Sequence, residues 1–314
     1  AAPRPVPCRP MAIVDPSWPR ADLWLAAECE QPELAVVGVP TSSASLSPSD
    51  ADRTPAELRR TLARFSTYHG EWDIDVGDVK VDDRGDLVVH DLDMHTMPGA
   101  VEELAASFPA VPLTLYVGGD NAITRPLVKV VSGGRLDRVG VLTFDAHHDV
   151  RTLDLGPTNG TPIRGLVEED GLPGANVVQV GIHSFANSLP YRRWCEERGV
   201  TVYPMEVVES WGVEDVVGTA LDALARECDV VYVDVDVDVL DRAVAPGCPG
   251  ARPGGMRVRD LATGVKMCGA HPKVAAIDFV EVDPTRDRDG LTLDALATVF
   301  LAAVAGFARR RHDA

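Results

Sequence analysis

Runs of apolar, largely β-branched residues recur along this chain, and stretches of helical periodicity separate them. Val139–Phe144, Val177–Ile182, Val230–Val237 and Val274–Val280 are the clearest. A strand with one wet face alternates apolar and polar residues, whereas a near-continuous apolar strand is covered on both faces. Leu34–Val39, Asp73–Gly77, Leu113–Val117 and Val200–Tyr203 read as further strands. Between them, helices are expected at Pro55–Phe65, Gly99–Ser107, Tyr191–Arg198, Val213–Glu227, Arg257–Met267 and Leu293–Ala308. Thr54 is placed to cap the first of these, with Pro55 at its opening position. The last carries Leu293, Leu296, Phe300, Val304 and Phe307 on one stripe, and Arg309–Arg311 suit its negative end. The alternation predicts an α/β fold: a single-domain, three-layer αβα sandwich around a mainly parallel sheet of about eight strands.

Two of the strands end in clusters of acid. Asp145, His147 and Asp149 follow Phe144, and Asp236 and Asp238 close the run that begins at Val230. Side chains two apart on an extended strand face the same way, so Asp145 points with His147 and Asp236 with Asp238. Asp149 swings in where the chain turns. One acid at a strand end is an ordinary loop or cap feature; two clusters with the same spacing are not. Four carboxylates and an imidazole in one pocket repel unless a cation lies between them. Oxygen ligands with one nitrogen suit Mn²⁺ or a similar divalent ion better than a sulfur-rich zinc site.

The remaining features narrow the class. At 314 residues the chain can bury a large core, and no linker or composition break divides it. Residues 1–33 are expected to form a partly irregular N-terminal extension, its first ten residues rich in proline, and residues 34–314 the α/β domain. A formal net charge of −18 argues against nucleic acid or an anionic membrane as partner. No basic-then-apolar signal opens the chain, and no stretch reads as a membrane span. Six cysteines without paired spacing fit a reducing cytoplasm rather than a disulfide scaffold. A small-molecule substrate is expected, with a homo-oligomer left open.

Two further strand ends complete a pattern: Gly118-Gly-Asp-Asn121, and Val280-Glu-Val-Asp-Pro284. With Asp145-Ala-His-His-Asp149 and Asp236-Val-Asp-Val-Leu-Asp241, followed by Ala245-Pro-Gly247 and Pro253-Gly-Gly255, the chain resembles the ureohydrolases: arginases, agmatinases, guanidinobutyrases and formimidoylglutamases. The resemblance runs from about Leu34 to Ala308. It implies an arginase-like sandwich with two Mn²⁺ ions, bridged by Asp145 and Asp236. His147 and Asp238 would complete one site and Asp149 the other. Glu281 would hold the cationic amidine or guanidine, with Asp149 moving the proton. One position departs from the family: Asn121 stands where a metal-binding His is usual, so that site is expected to be weak or empty.

The run Thr158-Asn-Gly-Thr-Pro-Ile-Arg164 and the segment Gly181-Ile-His-Ser-Phe-Ala-Asn187 look most like formimidoylglutamases. The resemblance therefore implies hydrolysis of N-formimidoyl-L-glutamate to L-glutamate and formamide. Arg151, Asn159, Thr161, Arg164 and Asn187 are the expected substrate contacts, the two arginines meeting carboxylates. His183 is the candidate proton donor to the leaving amine. Two other readings stay open here: a guanidino-acid ureohydrolase releasing urea, and a metal-poor inactive relative with a structural or regulatory role.

Overall fold

The computed structural model describes residues 15–312. Its centre is an eight-stranded sheet. The strands are β1 (Leu34–Val39), β2 (Val81–Asp86), β3 (Leu113–Gly118), β4 (Val139–Phe144), β5 (Val177–Ile182), β6 (Thr201–Pro204), β7 (Val230–Asp236) and β8 (Val274–Val280). Their spatial order is β2-β1-β3-β8-β7-β4-β5-β6, and every neighbouring pair is parallel.

Side-chain alternation along the strands feeds two separate cores. Val36, Leu115, Leu142, Val178, Val233 and Ile277 face one side, and Val37, Tyr116, Val141, Val177, Tyr232 and Ala276 the other. The first core is closed by α1 (Ala21–Leu25), α2 (Thr54–Thr61), α7 (Met205–Trp211), α8 (Val213–Glu227), α9 (Val258–Ala270) and α10 (Leu291–His312). The second is closed by α3 (Met97–Ala106), α4 (Thr124–Ser132), α5 (Pro162–Glu168) and α6 (Leu189–Arg198). Both sheet faces are thus dry, as the apolar strand runs require.

Four expectations need correction. The segment at Asp73–Gly77 is not in the main sheet: Ile74–Asp75 pairs antiparallel with Tyr68–His69 in a two-stranded hairpin. The eighth strand is instead β2, whose acid-rich Val-Asp-Asp-Arg-Gly-Asp sequence suits an exposed edge. Thr54 does not cap α2 but lies inside it, its hydroxyl donating to Val282 O at 2.5 Å. Residues before 34 are no appendage throughout, because Ala21, Trp24 and Leu25 are buried and Trp24 Nε1 donates to Val79 O. The Pro-rich first ten residues lie outside the described part. Finally, Leu291–Arg311 is long and apolar enough to cross a membrane, but 72% of its apolar window is buried within the fold.

The strand order matters for the site. Sequence order breaks between β3 and β4, which are separated by β8 and β7, and such a break leaves a crevice above the carboxyl ends of the strands. All four acidic motifs sit on these four central strands. Gly119, just beyond β3, holds this region together by close backbone contact. Its N–H donates to Val39 O and its carbonyl accepts from Glu281 N at 2.9 Å. A Cβ there would lie 1.5 Å from Thr41 O. Gly119→Ala is therefore expected to destabilise at or above the upper end of the ~1–3 kcal/mol typical of overpacking, read as the urea midpoint at unchanged slope. A midpoint equal to that of the parent would mean that the loop carrying Thr41 yields freely.

Candidate metal centre

The floor of the crevice is built from strand ends. Asp145, one residue beyond β4, is 1% exposed, and Asp236 and Asp238 are 3% and 2% exposed. Asp236 ends β7, and its Oδ1 accepts from Asp238 N at 2.8 Å, which turns the chain so that both carboxylates stay together. His147 Nδ1 lies 3.0 Å from Asp238 Oδ2 and 3.5 Å from Asp145 Oδ1. Two groups of donors form: Asp145, His147 and Asp238, and Asp145, Asp149 and Asp236, the ligand atoms of each within 4.8 Å of one another. Asp145 is common to both.

Burial raises the carboxyls of Asp145 and Asp236 well above the normal range, and neighbouring acids raise them further. Asp149 is raised to about 7, chiefly by burial. For His147, burial opposes the charged form but is outweighed by Asp238 and Asp145, which hold the imidazolium to about 12. Without a cation, protons take its place.

Glu281 follows β8 and forms the adjoining part of the floor. Its Oε1 accepts from Asn121 N at 2.8 Å and from Asn159 Nδ2 at 2.9 Å, which leaves Oε2 for a ligand. Burial first, then Asp120, raises it to about 8. Asp149 and Glu281 both adopt left-handed backbone, φ 52° and 64°. Non-glycine residues do so at a cost of order 1–3 kcal/mol, which the surrounding hydrogen bonds must offset.

Two amides clasp the Asp145–Asp149 loop from outside. Gln179 Oε1 is 2.7 Å from His148 Nδ1, and its Nε2 donates to His148 O. Asn187 Oδ1 accepts from His148 N while Nδ2 donates to Ala146 O. Gln179 was not anticipated, although a lone amide in the apolar run Val177–Ile182 was its visible signal. Beneath lies a second tier: Asp278 accepts from Tyr232 Oη at 2.6 Å, and burial followed by Asp278 raises Asp234.

Other expected residues fall differently. Asn121 is beside Asp149, but its Nδ2 donates to Asp149 Oδ2 at 2.6 Å and its Oδ1 lies 2.6 Å from Thr124 Oγ1. It therefore presents nitrogen, not the ligating oxygen, to the acids. Arg164 does not line the crevice: it donates to Val150 O, pairs with Glu168 and stacks on Trp194. Thr161 is buried, donates to Thr158 O and faces a neighbouring cavity. His183 Nε2 is held by Val239 O at 3.0 Å, outside the lining of the crevice, so it is not placed to protonate a leaving group. Arg151, Asn159 and Asn187 do line it, in a cavity of about 470 Å³ with Ser45, Ser47 and Arg252.

The donor set fits a hard divalent ion. Asp145 Oδ2 is buried with no hydrogen-bond partner, and the crowded carboxylates match oxygen-preferring metals. A parallel α/β sandwich with such a cluster beyond its central strands is the architecture of a metal-centred enzyme. Residues 32–306 match the arginase family, and the chain belongs to it. Formimidoylglutamase of Halalkalibacterium halodurans is 41% identical over 277 residues, covering 87% of this chain and 86% of that protein. The crystal structure of formimidoylglutamase from Bacillus subtilis superposes with a TM-score of 0.89 at 33% identity, covering 96% of each chain. Trypanosoma cruzi formiminoglutamase with Mn²⁺ shares the fold, with a TM-score of 0.83 at 23% identity, covering 93% of this chain and 99% of that one.

Two outcomes follow from this geometry. Asn121→His replaces an amide that presents nitrogen with an imidazole able to ligate. The Mn²⁺ concentration that half-fills the site next to Asp149 is expected to fall, measured by equilibrium dialysis; an unchanged titration would mean that this position does not face the ion. The second concerns protons. Asp149, Glu281 and His147 are all raised, so the folded metal-free chain holds protons that the unfolded chain has released, and its stability falls as pH rises from 6 to 8. Mn²⁺ requires deprotonated ligands, so binding at pH 6.5 is expected to release protons. Calorimetry in buffers of different ionisation enthalpy reads this directly, and a buffer-independent heat would contradict it.

Proposed function

We propose that this chain hydrolyses N-formimidoyl-L-glutamate to L-glutamate and formamide, using Mn²⁺ held by Asp145, His147, Asp149, Asp236 and Asp238. The observation that supports it best is the polarity of the cavity: a floor of acids, including Glu281 with one oxygen free among the described residues, below a rim that carries Arg151, which pairs with no carboxylate among them. That arrangement suits a cationic amidine with an anionic tail. When bound, Mn²⁺ supplies a Lewis acid able to acidify water near neutral pH. Glu281, oriented by Asn159 and Asn121 N–H, binds the amidinium. The water oxygen adds to the formimidoyl carbon and the bond from that carbon to the glutamate nitrogen breaks. Both water protons end on that nitrogen, giving the ammonium of glutamate beside neutral formamide. Asp149 accepts the first proton and passes it on.

The names of the similar proteins favour this substrate over a guanidino acid. The test is product analysis with Mn²⁺-loaded protein. Formamide is expected from N-formimidoyl-L-glutamate faster than urea from 4-guanidinobutyrate, and the reverse order would overturn the assignment. Arg151→Ala should raise KM for the former roughly ten- to hundredfold at unchanged metal content, since a charge-assisted hydrogen bond is worth about 1.5–3 kcal/mol. A KM within twofold of the parent would remove Arg151 from the substrate contacts.

A further inference from the structure

We propose that Arg252 is the second carboxylate-binding residue of the cavity, so that Arg151 and Arg252 each take one carboxylate of a dicarboxylate tail. This rests on the amidine reading above. N-Formimidoyl-L-glutamate carries two carboxylates, and the burial of Arg164 against Trp194 leaves the second without its expected partner.

Among the described residues the cavity lining contains two arginines, Arg151 and Arg252, and no lysine. The chain has 48 acidic residues against 30 lysines and arginines, so an arginine without an acid is not the default. Yet neither pairs with a carboxylate among the described residues. Arg252 Nη1 donates to Gly250 O at 2.7 Å and Ala251 O at 3.2 Å, with Pro249 O at 3.5 Å. These bonds fasten one corner of the guanidinium to its own loop and leave Nε and Nη2 without a partner among the described residues. A guanidinium held in this way is pre-oriented for an anion, at little further entropic cost.

The two arginines reach the crevice from different walls. Arg252 lies two residues beyond Gly250, whose backbone packs on the centre so closely that a Cβ there would fall 1.9 Å from Asp238 Oδ2 and 3.1 Å from His147 Cε1. The bond from Arg252 Nη1 to Gly250 O at 2.7 Å therefore keeps its guanidinium on the Asp238 side. Arg151 follows Asp149, and its stem lies on Gly160, where a Cβ would fall 2.6 Å from Arg151 Cδ. It stays above the Asp149 side, next to the Asn159 that holds Glu281. A ligand with its cation on Glu281 therefore has one guanidinium on either side of its tail.

The experiment pairs two variants with three substrates on the Mn²⁺-loaded protein. Arg252→Ala is expected to raise KM for N-formimidoyl-L-glutamate tenfold or more, with kcat within about threefold and metal content unchanged. N-Formimidoyl-4-aminobutyrate lacks the α-carboxylate, and N-formimidoyl-L-2-aminobutyrate lacks the γ-carboxylate. The Arg252→Ala effect should vanish on one of these and the Arg151→Ala effect on the other. An unchanged KM in Arg252→Ala, or equal losses on all three substrates, would overturn the proposal. Calorimetric binding of L-glutamate gives an independent readout, expected to weaken at least tenfold in Arg252→Ala. If the parent releases no formamide, the amidine reading fails by itself, and L-glutamate binding still decides on Arg252: an undiminished affinity refutes it.

Discussion

The interaction on which this structure turns is the repulsion among Asp145, Asp149, Asp236, Asp238 and Glu281, brought together on neighbouring strand ends, all but the half-buried Asp149 almost removed from water. A group of buried carboxylates is stable only if it is protonated or shares a cation. The raised carboxyls of Asp145 and Asp236, and the imidazolium that His147 keeps between Asp145 and Asp238, are the protonated solution. The divalent ion is the other. Proton and metal thus compete for one set of oxygens, and pH tunes which of them holds the centre together.

A centre under such tension needs walls that do not give. The parallel sheet supplies them, because four adjacent strands deliver the acids in fixed register. What the strands cannot fix is the loop that carries His147 and Asp149, and the Gln179 and Asn187 amides grip that loop by its main chain and by His148. Each amide engages the loop through both its oxygen and its nitrogen. Asn187 thus lines the cavity while its amide also holds the loop. The left-handed backbone of Asp149 and Glu281 is the residual strain of aiming two acids into the crevice.

The layered fold was legible because it follows from periodicity: dry strands, helical stripes and acids at strand ends are all local signals. The edge was not. β2 is charged at four of its six positions and reads as loop, while Asp73–Gly77 has a strand-like pattern that the hairpin uses instead. The clustering of the acids was equally visible, since spacing of two on a strand dictates a common direction. Side chains that reach across the fold were not. Arg164 and Thr161 sit in a segment whose resemblance points to the substrate, but α5 turns them toward Trp194 and Thr158. Nothing local distinguishes an arginine stacked on tryptophan from one facing a carboxylate. Arg252 was hidden for the same reason, because its place at the rim depends on how the loop after β7 folds back over Asp238.

Floor and rim therefore answer different questions. In the proposed reaction the floor recognises a planar cation and a water, and that chemistry is indifferent to what the cation is attached to. The choice among tails has to be made higher up, by loops that vary without disturbing the sheet. Here those loops carry Ser45–Ser49, Arg151, Asn159, Phe185 and Arg252. They are not independent of the floor. Asn159 accepts from Leu46 N at 3.0 Å with one end of its amide and donates to Glu281 at 2.9 Å with the other. A ligand that draws the rim loops inward must move this amide, and with it the Glu281 carboxylate that is proposed to hold the amidinium. Under the proposed reaction, tail recognition and cation alignment would then be mechanically one event, which is how binding energy from a group remote from the attacked carbon can be spent on orientation there.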